Sequence, residues 1–236
     1  MKKEKLDAKK EQGQPAQRSQ ENFVVRTINF FNQYNKIIYG VAIGLLAIVA
    51  LLLAFNKFYL VPQSEKASGL MTAPIDYMMR ADSLSLIMAL EGDDEHEGFL
   101  AVISSFRLTR TANTARYFAG LCYLKLGEQE EALKYLRKFK HRDDVYWHGA
   151  QALISDLYDD KGDTKNAIRF CKRATEGNDP FLTPVNLFKL GQLHEREGDW
   201  KKAVAAYQTI QNNFHAEYQK MGVDRYLERA LINQNK

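Results

Sequence analysis

Residues 151–174, QALISDLYDDKGDTKNAIRFCKRA, decide the fold. Two segments with helical spacing of apolar residues flank one break at KGD, where Gly162 permits the positive φ with which a helix ends before the chain reverses. The same plan stands on both sides: residues 115–139 read ARYFAGLCYLKLGEQEEALKYLRKF and residues 187–210 read LFKLGQLHEREGDWKKAVAAYQTI. Aligned on the break, Gly127, Gly162 and Gly198 lie 35 and 36 residues apart, and Ala132, Ala167 and Ala203 follow them by five. Gly120, Ser155 and Gly191 stand seven residues before the break, and Tyr123, Tyr158 and His194 stand four before it. A self-similar period of this length predicts stacked two-helix units. The spacing also predicts that a small residue of the first helix faces a small residue of the second, with the aromatic residue filling the wider layer beside them.

Over residues 113–214 this pattern resembles the tetratricopeptide repeat family, whose unit is an antiparallel helix pair of about 34 residues. Two positions depart from the family's pattern. Arg116, Gln151 and Leu187 hold the place of the usual leading Trp, and Phe139 and Ile210 replace the later alanine in two units. The expected fold class is all-α: one N-terminal transmembrane helix followed by a tetratricopeptide-like αα-hairpin solenoid. Residues 62–112 read as a degenerate opening repeat region of shorter helices, with breaks near Ala81–Ser83 and Gly92–Asp94. Residues 215–236 read as a capping helix, in which Tyr218, Met221, Tyr226, Leu227 and Leu231 offer apolar contacts.

Upstream, IIYGVAIGLLAIVALLLAF, residues 37–55, contains no charge. Its 19 residues make roughly 28 Å of helix, and extension to Leu60 matches a bilayer core. Lys36, Lys57, Tyr34, Tyr39 and Tyr59 flank it as interfacial groups do. Pro62 and the polar QSEK run are expected to end this section. Residues 1–20 lack aromatic and β-branched residues and read as a disordered cytosolic tail, with a juxtamembrane helix over 21–36. The formal net charge of +4 resides in the first 36 residues, with eight Lys/Arg against four Asp/Glu; the remainder carries 25 of each. That excess predicts a cytoplasmic N-terminus in a bacterial inner membrane and a periplasmic repeat domain. The neutral body excludes a protein-wide basic footprint for nucleic acid.

Motifs of catalysis are missing from the sequence: there is no HExxH, CxxC, phosphate-cradling glycine loop or GxSxG elbow. His96, His141, His148, His194 and His215 are isolated, so no metal and no cofactor is expected, and the chain reads as a non-enzyme. Cys122 and Cys171, 49 residues apart, read as buried small residues, a disulfide being the alternative in an oxidising compartment. The family resemblance implies that first helices line a concave wall. Its candidate partner-binding residues are Tyr117, Leu121 and Lys125, then Asp156 and Asp159, then Phe188, Gln192, Glu195 and Arg196. Leu124 and Asp160 belong to the same wall.

Anchor plus repeats also resembles the ancillary subunit of the bacterial Sec translocon. That resemblance implies a noncatalytic adaptor for exported proteins near the translocon, partnered with a periplasmic prolyl isomerase chaperone. The alternative is a structural scaffold subunit of an envelope assembly or secretion complex.

Overall fold

The computed structural model describes residues 34, 36, 37, 39–140, 142 and 145–235. The tail expected over 1–20, and all but two residues of the juxtamembrane helix expected over 21–36, lie outside the described residues. The chain divides into two compact units, Met1–Tyr59 and Leu60–Lys236.

In the first unit a helix, α1, covers 39–55. A π-helical turn follows at Asn56–Leu60. The helical run Tyr39–Arg80 is the one among the described residues with the length and composition to cross a membrane, and its apolar window is wholly unburied.

The second unit is helical throughout its described residues, apart from turns and an isolated bridge between Gly92 and Glu97. Four short helices come first: α2 (Val61–Gly69), α3 (Thr72–Arg80), α4 (Ser83–Glu91) and α5 (Phe99–Ser105). Pro62 sits in the first turn of α2, where its missing N–H costs nothing, and the QSEK run that follows is helical. Ala81 turns the chain between α3 and α4 at φ 64°, a left-handed conformation that costs an L-residue about 1–2 kcal/mol. Asp82 then caps α4, its Oδ1 accepting from the Ser85 amide at 2.9 Å.

Three hairpins follow: α6 (Arg110–Lys125) with α7 (Gln129–Lys138), α8 (Trp147–Asp160) with α9 (Thr164–Ala174), and α10 (Leu182–Arg196) with α11 (Trp200–Asn213). The three aligned turns share one hydrogen-bond plan. Gly127, Gly162 and Gly198 take φ 82°, 73° and 72°. Their amides donate to the carbonyls of Leu124, Asp159 and Glu195 at 3.1, 2.9 and 3.0 Å. The next residues, Glu128, Asp163 and Asp199, each donate at 2.9 Å to Tyr123, Tyr158 and His194, so the aromatic position also marks the carbonyl that closes the helix end. Asp163 and Asp199 then cap the second helices, accepting from the amides of Asn166 at 3.0 Å and Lys202 at 3.2 Å.

Helix packing adds a bulky partner to the expected small-against-small arrangement, in which a Cβ on Gly120 would also lie 3.5 Å from the Ala132 carbonyl. A Cβ on Gly120 would stand 2.6 Å from the Leu136 side chain, and one on Gly191 would stand 2.3 Å from the Tyr207 ring. The small residue therefore receives a bulky side chain one turn beyond the alanine, while Ala132, Ala167 and Ala203 are fully buried against the rest of the interface. In the middle repeat the corresponding bulky position is Cys171, a buried free thiol donating to the Asn186 carbonyl at 3.3 Å. Ser155 there is buried and donates to the Ala167 carbonyl at 2.9 Å. Ring pairs fill the neighbouring layer in two repeats: Tyr123 stacks on Tyr135 and Tyr158 on Phe170, with centroids 5.4 Å apart in both.

The core is correspondingly a series of local clusters. One joins α2–α6, the next joins α7–α9, a small one joins α9 to α10, and the last joins α10–α13. Each helix pair thus depends mainly on its neighbours, the energetic signature of a solenoid. At the C-terminal end Gly222, at φ 60°, divides what was expected as one capping helix into α12 (His215–Met221) and α13 (Asp224–Gln234). Leu227 and Ala230 of α13 are buried against the final repeat.

Candidate functional site

The first helices of the second and third repeats, α8 and α10, form a groove with α13. It has a volume of about 610 Å³ and is lined by Asp159, Val185, Phe188, Lys189, Gln192, Leu193, Glu195, Arg196 and Arg229. Residues 185, 188, 192 and 196 recur at helical spacing, which places them along one face of α10, and Phe181 caps its N-terminal end four residues before Val185. The N-terminal end of that face is apolar and open: Phe181 is 73% and Val185 54% exposed. Phe188 is half-buried, edge-on to Tyr226 with centroids 4.7 Å apart.

Charges dominate the other end, and they are paired across successive elements. Lys189 of α10 contacts Asp156 of α8 and lies 4.0 Å from Asp159. Arg196 pairs with Asp159. Arg229 of α13 reaches Glu195 of α10 at 2.5 Å, and the Glu195 side chain is only 10% exposed. The Glu195 hydrogen bond raises the Arg229 guanidinium further above its ordinary range. Burial, with Arg196 alongside, lowers the Lys189 ammonium, while the Asp156 carboxylate in contact with it works against that shift. Behind the groove, burial and the nearby Glu195 push the Tyr207 hydroxyl upward. Three cations and three carboxylates thus link the second repeat, the third repeat and the terminal helix. The pairs of Lys189 and Arg196 are partly solvated, and pairs at a solvated surface contribute about 0–1 kcal/mol each, so they fix the spacing of the groove walls more than they stabilise the fold.

Of the nine candidate residues, the groove unites Asp159, Phe188, Gln192, Glu195 and Arg196. Asp156 adjoins it through Lys189. The other three lie elsewhere. Tyr117 packs between the first and second repeats, stacked on Tyr146 at 4.8 Å, and burial raises its hydroxyl pKa. Leu121 packs against the core cluster of α2–α6, and Lys125 is exposed at the end of α6. Val185, Lys189, Leu193 and Arg229 are groove residues that the sequence reading missed. Val185 precedes Phe188 by three residues on the same helix face. Arg229 follows Glu195 by 34, the repeat period itself, and that spacing could have identified it.

No group of three or more His, Cys, Asp or Glu converges to hold a metal ion among the described residues. Cys122 and Cys171 are free and buried, and burial pushes both thiols up to about 12.

Sequence profiles of the tetratricopeptide repeat match residues 114–143 and 186–214, and a second such profile matches 148–176. No curated protein matches the sequence. Among solved structures, two crystal structures of MamA share 17% identity with the chain. One covers 70% of this chain and 96% of its own, with a TM-score of 0.47; the other covers 73% and 93%, with a TM-score of 0.49. A Podospora anserina kinesin light chain structure with nearly identical TPR-like repeats shares 10% identity, covers 72% of this chain and 94% of its own, and has a TM-score of 0.46.

Proposed function

We propose, from the premise that the chain is a noncatalytic tetratricopeptide-repeat protein, that it is a membrane-tethered scaffold holding one protein partner in the α8–α10–α13 groove. The observation that carries this reading is the character of the α10 face. Exposed Phe181 and Val185 continue through Phe188 into Gln192, Glu195 and Arg196, so an apolar anchor site adjoins groups that orient a polar backbone. The groove's charges already pair with one another, so a partner gains affinity mainly by burying Phe181 and Val185. A groove braced in this way suits a fixed partner better than varied clients. It therefore favours a structural subunit of a bacterial envelope assembly over an export adaptor at the Sec translocon.

Tethering belongs to the same proposal. The uncharged helix over 37–55 anchors the chain, the basic N-terminal segment keeps that end in the cytoplasm, and the repeats lie in the periplasm, where confinement near the membrane raises their local concentration. Intact protein isolated from native membranes after brief in-cell crosslinking, compared with a chain carrying the anchor alone, tests it. A constant set of envelope subunits supports the scaffold. Enrichment of translocon subunits or a prolyl isomerase chaperone favours the adaptor, and no partner beyond the anchor-only control refutes both.

A further inference from the structure

Between the second helices of adjacent repeats, the first helix of the later repeat forms the floor of a cleft, and two such clefts lie at equivalent places. Over α10 the cleft has a volume of about 440 Å³ and a floor of Leu187, Leu190 and His194. Over α8 the volume is about 350 Å³, with Phe139, Trp147 and Phe170 as apolar surface and Arg137, Lys140, Arg142 and Arg173 around the opening. One aligned floor position changes from polar to aliphatic: Gln151 stands where the next repeat has Leu187.

Gln151 is 2% exposed, and its Oε1 has no hydrogen-bond partner. A buried, unpaired acceptor destabilises the chain that carries it. The neighbouring repeat packs leucine at the same place, so helix stacking alone does not require an amide there. Two of the cations already lie over the aromatic surface, Arg142 at 5.9 Å from the Trp147 ring centroid and Arg173 at 5.2 Å from that of Phe170. Arg142 pairs with Glu176 at 3.3 Å, and among the described residues the opening is cationic on balance.

We propose that the cleft over α8 binds an acidic peptide segment of a partner protein. A backbone N–H of the segment donates to Gln151 Oε1, its carboxylates meet Arg137 and Arg173, and an apolar side chain covers Trp147 and Phe170. Charge complementarity selects the acidic class, and the buried acceptor selects an occupant with a donor beside its charge. This site lies on a different face from the α10 groove and does not depend on that reading.

The test uses the full chain in neutral detergent micelles and a fluorescein-labelled octapeptide pool with Asp or Glu at four positions, read by anisotropy. The expected result is saturable binding that is lost when Asn and Gln replace the acids. Gln151→Leu and the double variant Arg137→Glu/Arg173→Glu each weaken it at least tenfold, whereas Lys201→Glu, on α11, leaves it unchanged. Gln151→Leu installs the side chain of the next repeat and unfolds at the same or a higher temperature, which separates loss of binding from loss of fold. Failure of the acidic pool to bind, equal binding of the neutral pool, or indifference to both cleft variants overturns the proposal. Self-association that disappears in an Asp94→Asn/Glu95→Gln/Glu97→Gln variant, with probe binding rising as it does, also overturns it by making the occupant the acidic loop of a second copy.

Discussion

Gly191→Ala measures directly how closely the two helices of the third repeat approach. The added Cβ would stand 2.3, 2.6 and 2.9 Å from three atoms of the Tyr207 ring. Favourable carbon contacts begin near 3.5 Å, so the ring must move by roughly 1 Å. Tyr207 is fully buried, with Phe188 at 5.9 Å and Tyr226 at 6.2 Å between centroids, so it has little room to retreat. Overpacking of this kind costs about 1–3 kcal/mol, against a gain of about 1 kcal/mol from replacing glycine in a helix. A fully buried ring that must move by roughly 1 Å belongs in the upper half of that range, about 2–3 kcal/mol, so the net expectation is a loss of about 1–2 kcal/mol, or roughly 2–8 °C in melting temperature for a domain of this size. Gly149→Ala is the internal comparison. It is also helical, but its Cβ would meet only the Tyr117 hydroxyl at 3.5 Å, an ordinary contact, so this variant should melt at or above the parent temperature. Circular dichroism melts at 222 nm of the full chain in detergent decide the matter. A Gly191→Ala protein as stable as the parent, or a Gly149→Ala protein destabilised equally, refutes the packing argument.

Backbone strain gives a pair of opposite signs: Gly162→Ala, at φ 73° with no atom near the new Cβ, should lose about 1–2 kcal/mol, and Ala81→Gly, at φ 64°, should gain up to about 1 kcal/mol in the same melts. Burial raises both cysteine thiols to about 12, so their contribution to stability is complete below the ordinary thiol pKa of about 8.5 and is lost as pH rises from there toward 12. At pH 8 iodoacetamide should leave the folded protein unmodified and label Cys122 and Cys171 after denaturation, as read by intact mass. Asp93 moves in the opposite direction: the Tyr77 hydroxyl, with the Glu95 and His96 amides at 2.9 and 2.7 Å, lowers its carboxyl to about 2. Its stabilisation is present above the usual carboxylate range and lost as pH falls from about 4 toward 2. The protection of the Glu95 and His96 amides, read as exchange rate relative to the intrinsic rate at each pH, should therefore fall in that window, and Asp93→Asn should show lower protection already at neutral pH.

Position-by-position comparison of three repeats made much of the second unit legible. Turn glycines, buried alanines and closing carbonyls each perform a backbone or packing task that recurs locally, so aligned residues expose them. The partner of each small residue was not legible in the same way. Leu136, Cys171 and Tyr207 each stand nine residues after the turn glycine but differ in size and polarity, and only the helix crossing shows that this position meets the small residue. The nine candidate residues shared an expected face but not one groove: Tyr117 and Leu121 are drawn into packing by Tyr146 and by the helices preceding α6. Arg229, which pairs with α10 through Glu195, was signalled only by its 34-residue spacing from that residue, because α13 lacks the turn and alanine positions. Gln151 was visible as a departure from the family's leading position, but its burial and unpaired oxygen emerge only when α7–α9 are assembled around it.

The central claim is that the α10 face holds the partner, and a photocrosslinking amino acid placed at Gln192 in the intact protein in native membranes tests it most directly. Lys165, exposed on α9, serves as the comparison position. One dominant protein adduct is expected from position 192, diminished when Val185 is changed to Asp, and no equivalent adduct from position 165. Adducts from position 165 alone, or equal adducts from both positions, would contradict the claim.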